Sequence, residues 1–159
     1  MKLIALTLMC CVFVGKVAAF TFSDGTATTC SASGRQVTEV DGGSDSRVVK
    51  LNYTATTERR PGGAGYTITW NAAKLASLPP AVHDLIFFHE CAHATLPTQD
   101  ELRANCEGLR MMRAAGRAGA AVEAQLALFF GAANPYWVNT LKCANPTVAP
   151  AALPGAPAD

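Results

Sequence analysis

The residues of this chain with the clearest capacity for chemistry stand in one short run, His89-Glu90-Cys91-Ala92-His93. On an α-helix, residues i and i+4 lie about 40° apart around the axis and about 6 Å apart along it, so His89 and His93 would direct two imidazoles at one point. Zinc is the ion that such a pair favours. Glu90 projects about 100° round from His89, close to such an ion without binding it. The spacing therefore predicts a zinc site beside a carboxylate that can act as general base.

A third protein ligand is needed, because catalytic zinc has three protein ligands and one open position. We expect Glu101 to be this ligand, since a tight connection into a second helix would place it opposite the histidines. Glu101 could instead form a capping box with Thr98, bonding the backbone amide of that residue. Glu107, on another side of the same helix, is a further candidate for the ion. Cys106 is a weaker candidate, because an oxidising compartment favours its disulfide.

The elements that must hold these residues are predicted helices. Apolar residues and histidines recur at three- and four-residue intervals, which predicts a helix with one stripe facing the interior. The stripe contains Val82, Leu85, Ile86, His89, His93 and Leu96. The Pro79-Pro80 pair marks the start of this helix and Pro97 its end. Further helices are expected over residues 99–115 and 120–130, with Gly116 and Gly119 between them.

The first half of the chain, residues 20–70, is rich in Thr, Gly and Ser. Residues 47–53 and 66–70 are the best strand candidates, because β-branched and aromatic residues suit a pleated, half-buried surface. Residues 61–65 predict the turn between them. We expect an α+β fold with a small antiparallel sheet packed on a helical C-terminal half. The strand at 66–70 could offer an edge to which an extended peptide adds.

The chain begins with a predicted secretory signal peptide over residues 1–19. A lysine, an apolar stretch over residues 3–14 and the small-residue site Val17-Ala18-Ala19 support this prediction. The apolar stretch is too short to span a bilayer. One domain over residues 20–143 would follow, with a Pro/Ala-rich tail over 144–159 that we expect to be disordered. The product is predicted to be secreted or periplasmic.

Charge and cysteine content restrict the function classes. The chain has 13 basic and 12 acidic residues, and since two lysines lie in the leader, 11 basic residues remain against 12. A net charge of −1 favours neither nucleic acid nor an anionic membrane as partner. Two disulfides are expected in an oxidising compartment, and their three possible pairings stay open. The four cysteines concerned are Cys30, Cys91, Cys106 and Cys143. We expect a monomer that acts on a peptide or protein substrate.

Several of these stretches resemble a known family, the small secreted bacterial gluzincin-type metallopeptidases. Members carry H-E-x-x-H followed by E-x-x-A-D. The matching stretches are Trp70-Asn71, Leu75-Ala76-Ser77-Leu78-Pro79-Pro80, Phe87-Phe88-His89-Glu90-Cys91-Ala92-His93 and Glu101-Leu102-Arg103-Ala104-Asn105-Cys106. The resemblance covers about residues 66–115, with weaker similarity around Cys143. It implies that His89, His93 and Glu101 bind one zinc ion and that Glu90 is the base for peptide hydrolysis.

Two departures from the family pattern bear on activity. Asn105 stands where the family has an aspartate that steadies a ligating histidine, and an amide accepts the same hydrogen bond without bringing a charge. The span from His93 to Glu101 is also short. The alternative function is therefore a catalytically weak or inactive binding protein, stabilised by zinc or disulfides on the same scaffold.

An oxyanion-stabilising side chain, usually His, Tyr or Arg, is not settled by the sequence. His83 is expected to face solvent or a neighbouring loop, because it lies about 240° round the helix from His89. Tyr53, Tyr66 and Tyr136 stay open as candidates. Four arginines are interpreted as solubilising charge on an exposed helical face. They are Arg103, Arg110, Arg113 and Arg117.

Overall fold

The chain places its strands in the first half and most of its helical residues in the second, which confirms the predicted α+β fold. The computed structural model describes residues 19–145. The strands are β1 (Phe20–Thr21), β2 (Ala27–Thr28), β3 (Val37–Asp41), β4 (Ala55–Arg59) and β5 (Tyr66–Trp70). The helices are α1 (Arg47–Lys50), α2 (Ala72–Leu75), α3 (Pro80–Thr95), α4 (Glu101–Ala114), α5 (Ala120–Phe130) and α6 (Pro135–Ala144). The leader and tail predictions lie outside the described residues, except for Ala19 and the first two tail residues.

The three long helices of the prediction are confirmed as α3, α4 and α5. Helix α6 was not predicted, because an Asn-Pro pair such as Asn134-Pro135 commonly marks a turn. The pair instead begins α6: the Asn134 side chain accepts a hydrogen bond from Tyr136 N at 2.9 Å, and proline is well suited to the first helical position. No helix in residues 19–145 is long and apolar enough to cross a membrane.

The main sheet has the strand order β3-β5-β4. Strands β4 and β5 form an antiparallel pair around the predicted turn at 61–65, and β3 adds in parallel on the other side of β5. The prediction of an edge strand at 66–70 is wrong, because β5 is the central strand. The edge strands are β3 and β4.

The predicted strand at 47–53 is also wrong. Ser46 accepts a hydrogen bond from Val49 N and caps the short helix α1, whose only buried residue is Val48. A capping serine can override the β propensity of the adjacent valines because it satisfies a helix-end amide directly. The strand of this region begins later, at Ala55.

Helix α3 lies at the centre of the molecule, and 12 of its 16 residues are buried. The predicted single interior stripe is therefore too narrow, since the sheet, α4 and α5 all contact this helix. Aromatic rings fill one side, where Phe87 packs on Phe20 and Phe22 at centroid distances of 5.1 and 5.2 Å. A helix enclosed in this way can hold its polar side chains in fixed positions.

Helix α4 approaches α3 closely at Gly108. A Cβ at this position would lie 2.9 Å from His89 N and 3.0 Å from His89 Cα. Such contacts are too short for any residue with a side chain, so glycine permits the approach. Gly108 thereby brings the first turns of α4 against the part of α3 that carries the two histidines.

The two disulfides resolve the pairing that the sequence left open. Cys30 pairs with Cys91, which joins the N-terminal segment to α3. Cys106 pairs with Cys143, which joins α4 to α6. Both fit an oxidising compartment, where disulfides persist.

Two of the four arginines have structural roles, so their interpretation as solubilising charge is wrong. Arg113 forms two hydrogen bonds with Glu123, at 2.7 and 2.9 Å. Arg117 forms an ion pair with Asp24 at 3.1 Å and lies over the Phe22 ring, 3.7 Å from its centroid. Arg113 connects α4 to α5, and Arg117 connects the loop after α4 to the N-terminal segment.

We expect Gly108→Ala to destabilise the protein by about 1–3 kcal/mol, because the new methyl group would overlap the backbone of α3. Chemical denaturation measures this change. Gly43→Ala is the matched control, since nothing lies within 4 Å of a Cβ built there. Equal stability of Gly108→Ala and Gly43→Ala would show that the helices are not in close contact at this point.

Candidate metal centre

Three predicted ligands, His89, His93 and Glu101, meet in one cluster. The two Nε2 atoms of the histidines lie 3.1 Å apart. Oε2 of Glu101 lies 3.1 Å from His89 Nε2 and 3.6 Å from His93 Nε2. Both imidazoles are buried, whereas the Glu101 side chain is 65% exposed. The group can hold a metal ion.

Hydrogen bonds at the other ring nitrogens determine where the imidazole protons lie. His93 Nδ1 is 2.8 Å from the carbonyl oxygen of Thr98, and His89 Nδ1 is 2.6 Å from Oδ1 of Asn105. Carbonyl oxygens only accept, so each Nδ1 carries a proton, and in the neutral imidazole each Nε2 then carries a lone pair. Two lone pairs and a carboxylate oxygen therefore converge on one point. This arrangement is repulsive unless a cation lies between them.

The spacing of the three donor atoms fits zinc. Tetrahedral zinc with bonds of about 2.0–2.1 Å places its ligand atoms about 3.3–3.4 Å apart. The observed separations of 3.1 to 3.6 Å bracket that value. Imidazole nitrogen and carboxylate oxygen are also ordinary zinc ligands.

The directions of the pKa shifts of His89 and Glu101 also indicate that the cluster favours a positive charge. Burial alone would lower the pKa of His89, but the hydrogen bond with Glu101 and the charges of Glu90 and Glu101 raise it above its ordinary value. The hydrogen bond with His89 in turn lowers the pKa of Glu101, against the opposing effect of burial. The surroundings thus stabilise a cation at the place where the three donors meet.

Glu90 is buried beside the cluster and does not belong to it. Its Oε2 accepts a hydrogen bond of 2.6 Å from the Thr57 hydroxyl, whose oxygen also lies 3.1 Å from the Glu90 backbone carbonyl. Thr57 fixes the orientation of the carboxylate. The sequence carried no signal for this residue, because only the packing of β4 on α3 brings the two together.

A cleft of about 640 Å³ contains the cluster and Glu90. Its walls come from β4 and its preceding loop, from α3 and from the start of α4. The lining residues outside the cluster include Arg47, Tyr53, Lys74, Ile86 and Gln99. The Glu101 side chain in this cleft is exposed to solvent.

The free edge of β4 runs along this cleft. Asn71 N donates to Thr54 O at 3.0 Å, and Arg60 N donates to Gly65 O at 2.8 Å. Backbone hydrogen bonds alternate between the two sides of an antiparallel strand. The backbone groups of Ala55 and Thr57 therefore face away from β5.

The alternatives for the third ligand lie elsewhere. Glu107 pairs with Arg110 at 3.1 Å and is outside the cluster. The predicted capping box between Thr98 and Glu101 does not form. Asp100 caps α4 instead, because its side chain accepts a hydrogen bond from Arg103 N at 3.0 Å. Cys106 is in a disulfide. Asp100 releases Glu101 from capping, so that its carboxylate can turn toward the histidines.

The candidates for oxyanion stabilisation differ in how close they lie to the cleft. Tyr66 is buried in β5, and His83 bonds with Asp84 at 3.0 Å. Tyr53 lines the cleft. Tyr136 lies beside the cluster: burial raises its pKa, the charge of Glu101 adds to this rise, and the side chain of Asn105 opposes it.

No family model, curated protein or solved structure matches this chain. The resemblance to gluzincin-type metallopeptidases therefore stays a prediction. The functional assignment depends on the geometry of the cleft.

We expect Asn105→Asp to tighten the binding of a divalent metal ion at this cluster by about tenfold, because a carboxylate on the Nδ1–H of His89 makes that imidazole a stronger ligand. Competition with a chelator measures the dissociation constant. Gln125→Glu adds the same charge at an exposed position of α5 and should leave the constant unchanged. Equal affinity of Asn105→Asp and the wild type would contradict a supporting role for residue 105.

Proposed function

We propose that this protein is a secreted, zinc-dependent peptidase. One observation carries the proposal: the converging Nε2 lone pairs and Glu101 share a cleft with Glu90, a buried carboxylate held outside the ligand set. A metal site with only structural function has no need of such a carboxylate. The two disulfides support a secreted location.

His89, His93 and Glu101 would hold the zinc ion, which when bound would polarise a scissile carbonyl and make water more acidic. Glu90 accepts a proton from the attacking water. The same carboxyl then donates that proton to the leaving amine, so the peptide bond is cleaved with no net change in Glu90. The Thr57 hydroxyl orients Glu90 throughout.

The substrate is an extended peptide bound along β4. The backbone groups of Ala55 and Thr57 that face away from β5 can hydrogen-bond such a chain as an additional strand. This contact recognises backbone and not sequence. Side-chain preference would come from the remaining walls of the cleft, which carry both charged and apolar residues.

A second candidate is a zinc- or disulfide-stabilised binding protein with weak or no catalysis. Asn105 favours it, because the neutral amide on His89 supplies no charge to strengthen this ligand. The exposure of the Glu101 side chain favours it as well. The two candidates share the metal site and the cleft, and they differ in turnover.

Glu90→Gln separates them. We expect this variant to keep stoichiometric zinc and to lose peptide hydrolysis by about 10²–10⁴-fold, because the amide keeps the Thr57 hydrogen bond but cannot accept a proton. Zinc content and cleavage of casein or a fluorogenic peptide measure the two properties. Glu58→Gln, which neutralises another carboxylate of the cleft, is the control and should cleave normally.

Zinc in both the wild type and Glu90→Gln, with hydrolysis by neither, would establish the binding protein. Absence of zinc from both would end the metal assignment. Equal hydrolysis by the two would show that Glu90 is not the base.

A further inference from the structure

Glu39 is a buried carboxylate that the cleft does not use. It is 3% exposed, in the middle of β3. It accepts hydrogen bonds from Cys30 N at 2.6 Å and from Trp70 Nε1 at 3.0 Å. Both donors are neutral, and none of the ion pairs formed within residues 19–145 includes Glu39. Burial raises the pKa of this carboxyl, since a buried charge without a counterion is costly.

Phe20 lies next to this carboxylate, because its ring contacts Trp70, the indole of which donates to Glu39. The backbone N–H of Phe20 lowers the pKa of Glu39 in part. Phe20 is 4% exposed, and its ring packs against Trp70 and Phe87 at centroid distances of 4.8 and 5.1 Å. Ala19, directly before it, is exposed. The bond between Ala19 and Phe20 is the predicted cleavage site of the leader. An uncharged peptide nitrogen thus lies where processing would produce an amine.

We propose that cleavage between Ala19 and Phe20 creates a buried ion pair between the new α-ammonium group of Phe20 and Glu39. Hydrolysis gives the hydroxyl of water to the Ala19 carboxyl group and a proton to the Phe20 nitrogen, which is then protonated further at neutral pH. The single N–H becomes three N–H donors with a positive charge. The inference depends on the predicted leader and is independent of the proposed peptidase activity.

The position of this ion pair connects the removal of the leader to α3, the helix that carries His89 and His93. Cys30, whose N–H bonds with Glu39, is joined by its disulfide to Cys91, and Cys91 follows Glu90 in α3. The chain that still carries its leader has no ammonium group at this point. The processed chain has a charged contact between β1 and β3.

Asp41 is the competing partner, because it lines the same small cavity as Ala19 and Phe20. It is exposed, and an exposed ion pair contributes little to stability. A pair with Glu39 is stronger, since both charges are shielded from water and two further hydrogen bonds hold the carboxylate.

Two chains that both end at Asp159 test the proposal, one beginning at Phe20 and the other at Ala19. The extra residue moves the ammonium group away from Glu39. We expect the Phe20 chain to melt on the order of 5–10 °C higher. Glu39→Gln should abolish this difference, and Asp41→Asn should preserve it. Equal melting temperatures, a difference that survives Glu39→Gln, or one that disappears in Asp41→Asn would each overturn the proposal.

Acylation of the α-amine provides a second measurement that does not require Glu39→Gln to fold. Mass spectrometry of the N-terminal peptide after treatment with an amine reagent should show Phe20 reacting at least about tenfold more slowly than Ala19 in the longer chain, because the paired ammonium is buried and protonated. Equal rates would contradict the buried pair. A natural secreted product that begins at any residue other than Phe20 would also overturn it.

Discussion

Two imidazole nitrogens and one carboxylate oxygen direct their lone pairs at a single point, and the structure depends on keeping them there. Because like partial charges repel, these donors would separate if their side chains were free. Hydrogen bonds from Nδ1 to Thr98 and Asn105 hold the rings, and the burial of α3 holds the helix that carries them. A cation is what makes this arrangement favourable.

Other features of the fold follow from the same constraint. Gly108 permits the close approach of α4 to α3, and Asp100 caps α4 so that Glu101 is available to the histidines. The disulfide between Cys30 and Cys91 joins the N-terminal segment to α3. The packing of β4 on the opposite side brings Thr57 to Glu90. His89, Glu90 and His93 thus lie on α3, and Glu101 and Thr57 reach them from α4 and β4, which both contact α3.

The sequence predicted what depends on local periodicity and failed where tertiary pairing decides. His89, His93 and Glu101 could be placed together because helical spacing and a short connection leave few alternatives. The strand at 47–53 was wrong because Ser46 caps a helix there, and the exposed edge was assigned to β5 because strand order is not encoded locally. Thr57 and the disulfide pairing depend on contacts between distant segments, and no spacing rule specifies them.

X-ray absorption at the zinc edge tests the central claim most directly. The protein loaded with one equivalent of zinc should show two imidazole nitrogens and additional oxygen ligands, all at about 2.0–2.2 Å. Failure to retain one zinc ion, or a sulfur ligand at about 2.3 Å, would contradict the site formed by His89, His93 and Glu101.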